Sequence, residues 1–149
     1  MMSKINCFKD DYYFLSNFYH APVTYDGITY RSSEGAYQAQ KTKTKEERYA
    51  FSNLNSPNAK RLGQEIDIRQ DWDKVRIYHM TAIVRLKFMQ NPELAQMLLD
   101  TGYATLIEGN TWGDHFWGQV DGEGENHLGL ILMQVREEIR EFRRLQQGM

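Results

Sequence analysis

Glu34, Gln38 and Lys41 stand at i, i+4 and i+7 in the segment SSEGAYQAQK, 32–41. In a helix they share one face. A carboxylate, an amide and an amine on one face suit two situations. One is a solvated helix surface. The other is a site in which the carboxylate moves a proton and the lysine serves as nucleophile or phosphate anchor. Spacing alone leaves both open. Tyr37, three residues after Glu34, borders the same face or packs inward.

A second candidate is the stretch GNTWGDHFWGQVDGEGENHLG, 109–129, with six glycines and two tryptophans. Large aromatics in a Gly-rich loop need a packing partner. Trp112 and Trp117 either clamp the loop onto the core or stack on a nucleobase. Asp114 lies three residues before Trp117 and could face a ligand with it. His115 lies between them. The acidic run 121–125 lacks the spacing of a calcium loop. No strand–GxGxxG–helix context accompanies the glycines, so a dinucleotide fold is not indicated.

Other chemistries find no footing. The four histidines show no metal-ligand spacing, and no GxSxG, HExxH or P-loop occurs. One cysteine, Cys7, excludes a disulfide framework and a multi-Cys zinc site. Neither metal nor cofactor is expected. No apolar run reaches the ~18 residues of a membrane span, and the first residues lack an apolar signal core. A soluble, cytoplasmic protein is expected. A net charge of −2 argues against a dedicated non-specific DNA binder. The average conceals a division. Residues 41–87 hold eleven Lys/Arg against six Asp/Glu, a net +5, whereas residues 107–127 hold five acids and no Lys or Arg. The basic segment suits a phosphate-bearing ligand.

These groups need elements to position them. A length of 149 residues fits one domain, 1–149. KINCF, 4–8, reads as a short strand. PVTYDGITY, 22–30, alternates around Asp26-Gly27, the signature of a type I′ hairpin. Ser32 or Ser33 caps a helix beginning near Glu34. EERYAFSNL forms another. Ser56-Pro57 reads as N-cap and first position of a third, stopped by Gly63. Asp71 opens a longer helix whose apolar face runs Trp72, Val75, Ala82, Leu86 and Met89. Asn91-Pro92 starts the next, which ends near Gly102. Leu106-Ile107 reads as a short strand. A final helix places Leu128, Leu132, Val135, Ile139 and Phe142 on one face. The fold class is α+β: a compact, mostly helical single domain with a small antiparallel sheet.

Seven segments then occur in an order and spacing that resemble the YbiA-like, or NADAR, family: LSNFY (15–19), SSEGAYQAQK (32–41), DWDKVR (71–76), LKFMQNPEL (86–94), LIEG (106–109), DHFWG (114–118) and ENHLGLILMQVR (125–136). The resemblance extends from about residue 8 to residue 140. It implies hydrolysis of an N-glycosidic bond at a ribosyl anomeric carbon. The implied substrate is a phosphorylated ribosyl N-glycoside, the phosphoribosylamino-pyrimidine intermediates of riboflavin synthesis. ADP-ribosylated guanine in DNA or RNA is the alternative, and a non-catalytic NAD or ADP-ribose module the other. Glu34 falls on the glutamate of the family's helix motif and Lys41 on its closing lysine. Asp114, Trp117 and Gly118 fall on the acid–x–x–Trp–Gly motif, Asn126 on the asparagine before Leu-Gly, and Trp72 on the tryptophan of the long helix. Ser16 and Asn17 match the Ser-Asn-Phe element. Glu34, Lys41 and Asp114 are then the catalytic candidates. Asn17, Gln38, Trp72, Trp117, Gly118 and Asn126 are the substrate-binding ones, with the two tryptophans against the base. One departure stands out: Gly35-Ala36 replaces the family's His and aromatic after the glutamate, which suggests added room beside Glu34.

Overall fold

A computed structural model describes residues 3–148. It is α+β, 53% helical, with two small sheets of two strands each. By contact density the chain falls into two compact units, residues 17–91 and residues 3–16 with 92–148. No helix among the described residues is long and apolar enough to cross a membrane.

Unit 17–91 begins with the hairpin. Strands β2 (Val23–Tyr25) and β3 (Ile28–Tyr30) pair antiparallel with Val23 opposite Tyr30. Asp26 and Gly27 both have positive φ, 51° and 80°, as a type I′ turn requires. Helix α1 (Ser33–Ala39) follows. Ser32 is extended and its Oγ accepts from Gly35 N–H at 3.1 Å, so the expected cap forms. Helix α2 (Lys45–Tyr49) is shorter than the expected EERYAFSNL helix and is capped by Thr44. Helix α3 (Ser56–Glu65) is capped by Asn55, whose side chain accepts from Asn58 N–H. Ser56 was expected there, but its hydroxyl is taken by Phe18 O and Ser32 Oγ. Gly63 does not stop α3; it lies inside the helix.

Helix α4 (Trp72–Gln90) departs furthest from expectation. Trp72, Met80, Ile83, Val84, Lys87 and Phe88 are its buried residues, whereas Met89 is exposed and Val75, Ala82 and Leu86 are half-buried. Apolar residues occur all around this helix, so their spacing selects no single face. At its end Gln90 accepts from Thr24 N–H at 2.8 Å and donates to Thr24 O at 2.9 Å. That amide occupies the free edge of the hairpin, where unpaired backbone groups would otherwise recruit another strand.

In the other unit, β1 (Lys4–Ile5) pairs parallel with β4 (Thr105–Leu106), Ile5 opposite Leu106. This second sheet is parallel, beside the expected antiparallel one. A 3-10 helix covers Asp10–Leu15, and α5 (Pro92–Asp100) packs on α6 (His127–Gln147). Leu128, Leu132 and Val135 of α6 are buried as expected, with Ile131 beside them, but Phe142 is exposed.

Lys87 is a charge in an apolar interior. It is 1% exposed, with Nζ 5.9 Å from the Tyr19 ring centroid and 5.3 Å from that of Phe88. Burial lowers its pKa from an ordinary 10.5 to about 7. Between these values the unfolded chain holds a proton that the folded chain does not, so stability rises with pH across that window. Urea unfolding between about pH 7.5 and 9.5 is expected to show a rise of about 1 kcal/mol per pH unit from this group. Lys87→Met should remove that slope; an unchanged slope would assign it to another group.

Candidate functional site

Glu34 lies in the first turn of α1 and is 8% exposed; Gln38, one turn on, is 5% exposed. Gln38 Nε2 donates to Glu34 Oε2 at 2.6 Å. A carboxylate out of water requires such a donor, and the first-turn dipole favours its negative charge. The solvated-face reading of this helix is therefore set aside: every residue of α1 is buried. Glu34 N–H is itself bound to Asn17 O at 3.0 Å. Asn17 Oδ1 accepts from Ser33 Oγ at 2.9 Å and its Nδ2 reaches Met80 Sδ at 3.4 Å. The backbone carbonyl and side-chain oxygen of Asn17 thus hold the start of α1, while its amide nitrogen ties it to Met80 of α4.

Lys41 follows α1 by two residues and is half-buried, with Nζ 5.8 Å from the Tyr37 ring centroid. Burial lowers the pKa of its ammonium. The Glu34 carboxylate opposes that shift, and Lys60 and Arg76 reinforce it. One carboxylate and two cations therefore act on Lys41 past the end of α1. The +5 segment contributes three of its members here, on the end of α1, on α3 and on α4. Lys60 and Arg76 carried no sequence signal beyond net charge.

Trp72 is 7% exposed. Its ring packs on Tyr37 at 5.2 Å and stacks on His79 at 6.3 Å and 15°. His79 Nδ1 is bound to Tyr25 OH at 2.7 Å. The expected role of Trp72 as a stacking face for a base conflicts with this enclosure, because a base would have to displace a packed ring. Trp72 is a wall that supports Tyr37, and through it Lys41.

The remaining candidates lie in the other unit, in the loop before α6. Asp114 Oδ1 accepts from Phe116 N–H at 3.0 Å and Trp117 N–H at 2.8 Å. Asn110 binds both backbone groups of Asp114 and also Glu108 Oε2. Trp117 packs edge-on against Phe116 at 4.8 Å and near His127, which favours the clamp over the stack for this ring. Trp112 is 63% exposed. A Cβ on Gly118 would stand 1.9 Å from Glu108 O, so only glycine fits. Asn126 is buried at φ 55°; its Oδ1 accepts from Glu108 N–H and its Nδ2 donates to Leu106 O. The loop also caps α6: carbonyls of Gly118, Phe116 and Trp117 accept from Asn126, His127 and Leu128 N–H. The structure therefore gives Asp114, Gly118 and Asn126 a backbone-holding duty that the spacing did not suggest.

The NADAR domain matches residues 6–140. This chain belongs to the NADAR family. It is 38% identical over 135 residues to the N-glycosidase YbiA of Escherichia coli (strain K12), covering 88% of this chain and 84% of that protein. It is 43% identical over 132 residues to a riboflavin biosynthesis protein of Vibrio vulnificus, covering 86% of this chain but only 36% of that one. The NMR structure of E. coli YbiA superposes with a TM-score of 0.84 at 36% identity, covering 96% of this chain and 89% of that one. Within this NADAR chain, Gly35-Ala36 does not open room beside the carboxylate. A Cβ on Gly35 would lie 3.6 Å from Tyr30 Cβ and 3.8 Å from Phe51 O, and Ala36 is fully buried. The departure concerns packing of α1 on β3 and on the turn after α2.

Asn126→Ala removes two hydrogen bonds, strands two buried backbone groups and leaves a Cβ-bearing residue without an asparagine's tolerance at positive φ. A loss of about 2–4 kcal/mol in urea unfolding is expected. A loss below about 1 kcal/mol would show that water replaces the amide.

Proposed function

We propose that this chain is an N-glycosidase that hydrolyses a ribosyl C1′–N bond, with Glu34 as general acid/base and a phosphoribosylamino-pyrimidine as substrate class. The observation that carries the chemistry is the Glu34 carboxylate, buried, hydrogen-bonded to Gln38 and one helical face from a cationic cluster. The names of the E. coli and V. vulnificus relatives support the bond and the substrate class.

Cleavage builds positive charge at C1′ and negative charge on the departing nitrogen. The C1′–N electron pair leaves with nitrogen, which takes a proton from Glu34. Water adds its oxygen to C1′ and returns a proton to Glu34. Lys41, Lys60 and Arg76 receive the 5′-phosphate. A second reading of Lys41 rests on the burial that lowers its ammonium. Its neutral amine would capture C1′ of the opened ribose as a Schiff base, which water then releases.

Glu34→Gln keeps the size of the side chain and removes the transferable proton. Release of free base, followed by mass spectrometry with a phosphoribosylamino-pyrimidine, NAD and ADP-ribosylated guanine DNA offered separately, is expected to fall by about 10²–10⁴-fold. Turnover near wild type would take Glu34 out of the acid/base role. Borohydride added during turnover should leave a ribosyl adduct on Lys41 if the amine is covalent. An unmodified, active protein would leave Lys41 with the phosphate.

A further inference from the structure

The amide of Gln38 has one end bound and one end bare. Nε2 donates to Glu34, while Oε1 is buried without a hydrogen-bond partner among the described residues. The bare end lies on Gly63 of α3. A Cβ built there would stand 1.9 Å from Oε1, 2.8 Å from Cδ and 3.3 Å from Cβ of Gln38. Gly63 needs no unusual backbone angle; its missing side chain is the slot in which the amide sits.

The slot supplies no donor to Oε1 among the described residues. Turned by half a rotation, the amide would present its oxygen to Glu34 and its nitrogen to Gly63. The two orientations differ in what they offer Glu34. An amide donates through nitrogen and accepts through oxygen. The ionised carboxylate selects the donor and the protonated acid selects the acceptor. We propose that Gln38 is a positioning residue whose amide turns with the protonation state of Glu34, and that Gly63 supplies the space for the turn.

This inference rests on the acid/base reading of Glu34 and deepens it. A residue that gives up a proton and regains it within one turnover must be stable in both forms. In a buried site a partner that only donates would penalise the acid, and one that only accepts would penalise the carboxylate. Gln38 serves both. The charges acting near this end of α1 are Lys41 itself, Lys60 of α3 and Arg76 of α4. Arg48 of α2 acts on Tyr30 of β3, and Tyr25 of β2 is bound to His79. None of these replaces the amide, because the cations can only donate.

The test is a titration of the free protein by NMR, with carboxyl-labelled glutamate and ¹⁵N-labelled glutamine. Glu34 and Gln38 signals are assigned by their loss in Glu34→Gln and Gln38→Met. The Gln38 NH₂ signals are expected to move with the same midpoint as the Glu34 carboxyl. Gly63→Ala displaces the amide end of the Gln38 side chain and presses lightly on its Cβ. It should uncouple the two signals and raise the Glu34 midpoint by about one pH unit, because the carboxylate loses the Gln38 donor from among its partners. Gln38→Met should raise that midpoint equally with Gly63 intact. The limb of the kcat/KM profile belonging to Glu34 should move by the same amount in both variants, whereas a merely structural role would lower the profile without moving it. Gln38 signals that stay constant while Glu34 titrates, or a Gly63→Ala protein with an unmoved Glu34 midpoint, would overturn the inference. Failure of the acid/base reading is distinct: Glu34→Gln would then turn over normally, whatever the titration shows.

Discussion

A helix of seven residues has no stability of its own in water, since isolated helices below ~12–15 residues are marginal. Helix α1 persists because it is wholly buried and three donors at its start are tied. Ser32 Oγ takes Gly35 N–H, Asn17 O takes Glu34 N–H, and Ser32 O takes Ala36 N–H. That tethering places a carboxylate in a largely buried position. The Gln38 donor, the Gly63 slot and the cations on α3 and α4 all answer to that one placement. The Tyr37 ring beside Lys41 packs on Trp72, which stacks on His79, itself bound to Tyr25.

Residues that match the family's motifs divide by duty. Glu34, Gln38 and Lys41 present side-chain groups. Asp114 and Asn126 spend theirs on backbone in and before the loop that leads to α6, Gly118 leaves room there for the Glu108 carbonyl, and Asn17 joins Ser33 at the start of α1 to Met80. Asn and Asp are suited to both tasks, since each bonds locally to backbone and asparagine tolerates positive φ. A motif residue of these types is therefore weak evidence of substrate contact until its partners are known.

Much of the fold was legible because local chemistry decided it. Asp26-Gly27 allowed only one kind of turn, and Ser32 preceded an obvious helix. Where tertiary partners competed, the local reading failed. Ser56 looked like a cap, but its hydroxyl serves Phe18 and Ser32, so Asn55 caps instead. The buried side of α4 was unreadable because apolar residues circle the helix, and Lys87 sits among the buried ones. The i, i+4 spacing does bring Gln38 onto Glu34, whereas Lys41 falls two residues past the end of α1. Gly63 read as a helix stop, because a glycine kept for the room it leaves looks no different in sequence from one kept for its backbone freedom.

The parallel pair β1–β4 joins Ile5 to Leu106 with very few backbone bonds. Closing a loop of about 100 residues costs about 4 kcal/mol in chain entropy. Two residues of pairing do not offset that on their own, so the pair depends on the packing of β4 against α6. On the ribosome β1 is then made well before the strand with which it pairs. Until residue 105 has left the exit tunnel, β1 is an unpaired segment for which chaperones and proteases compete.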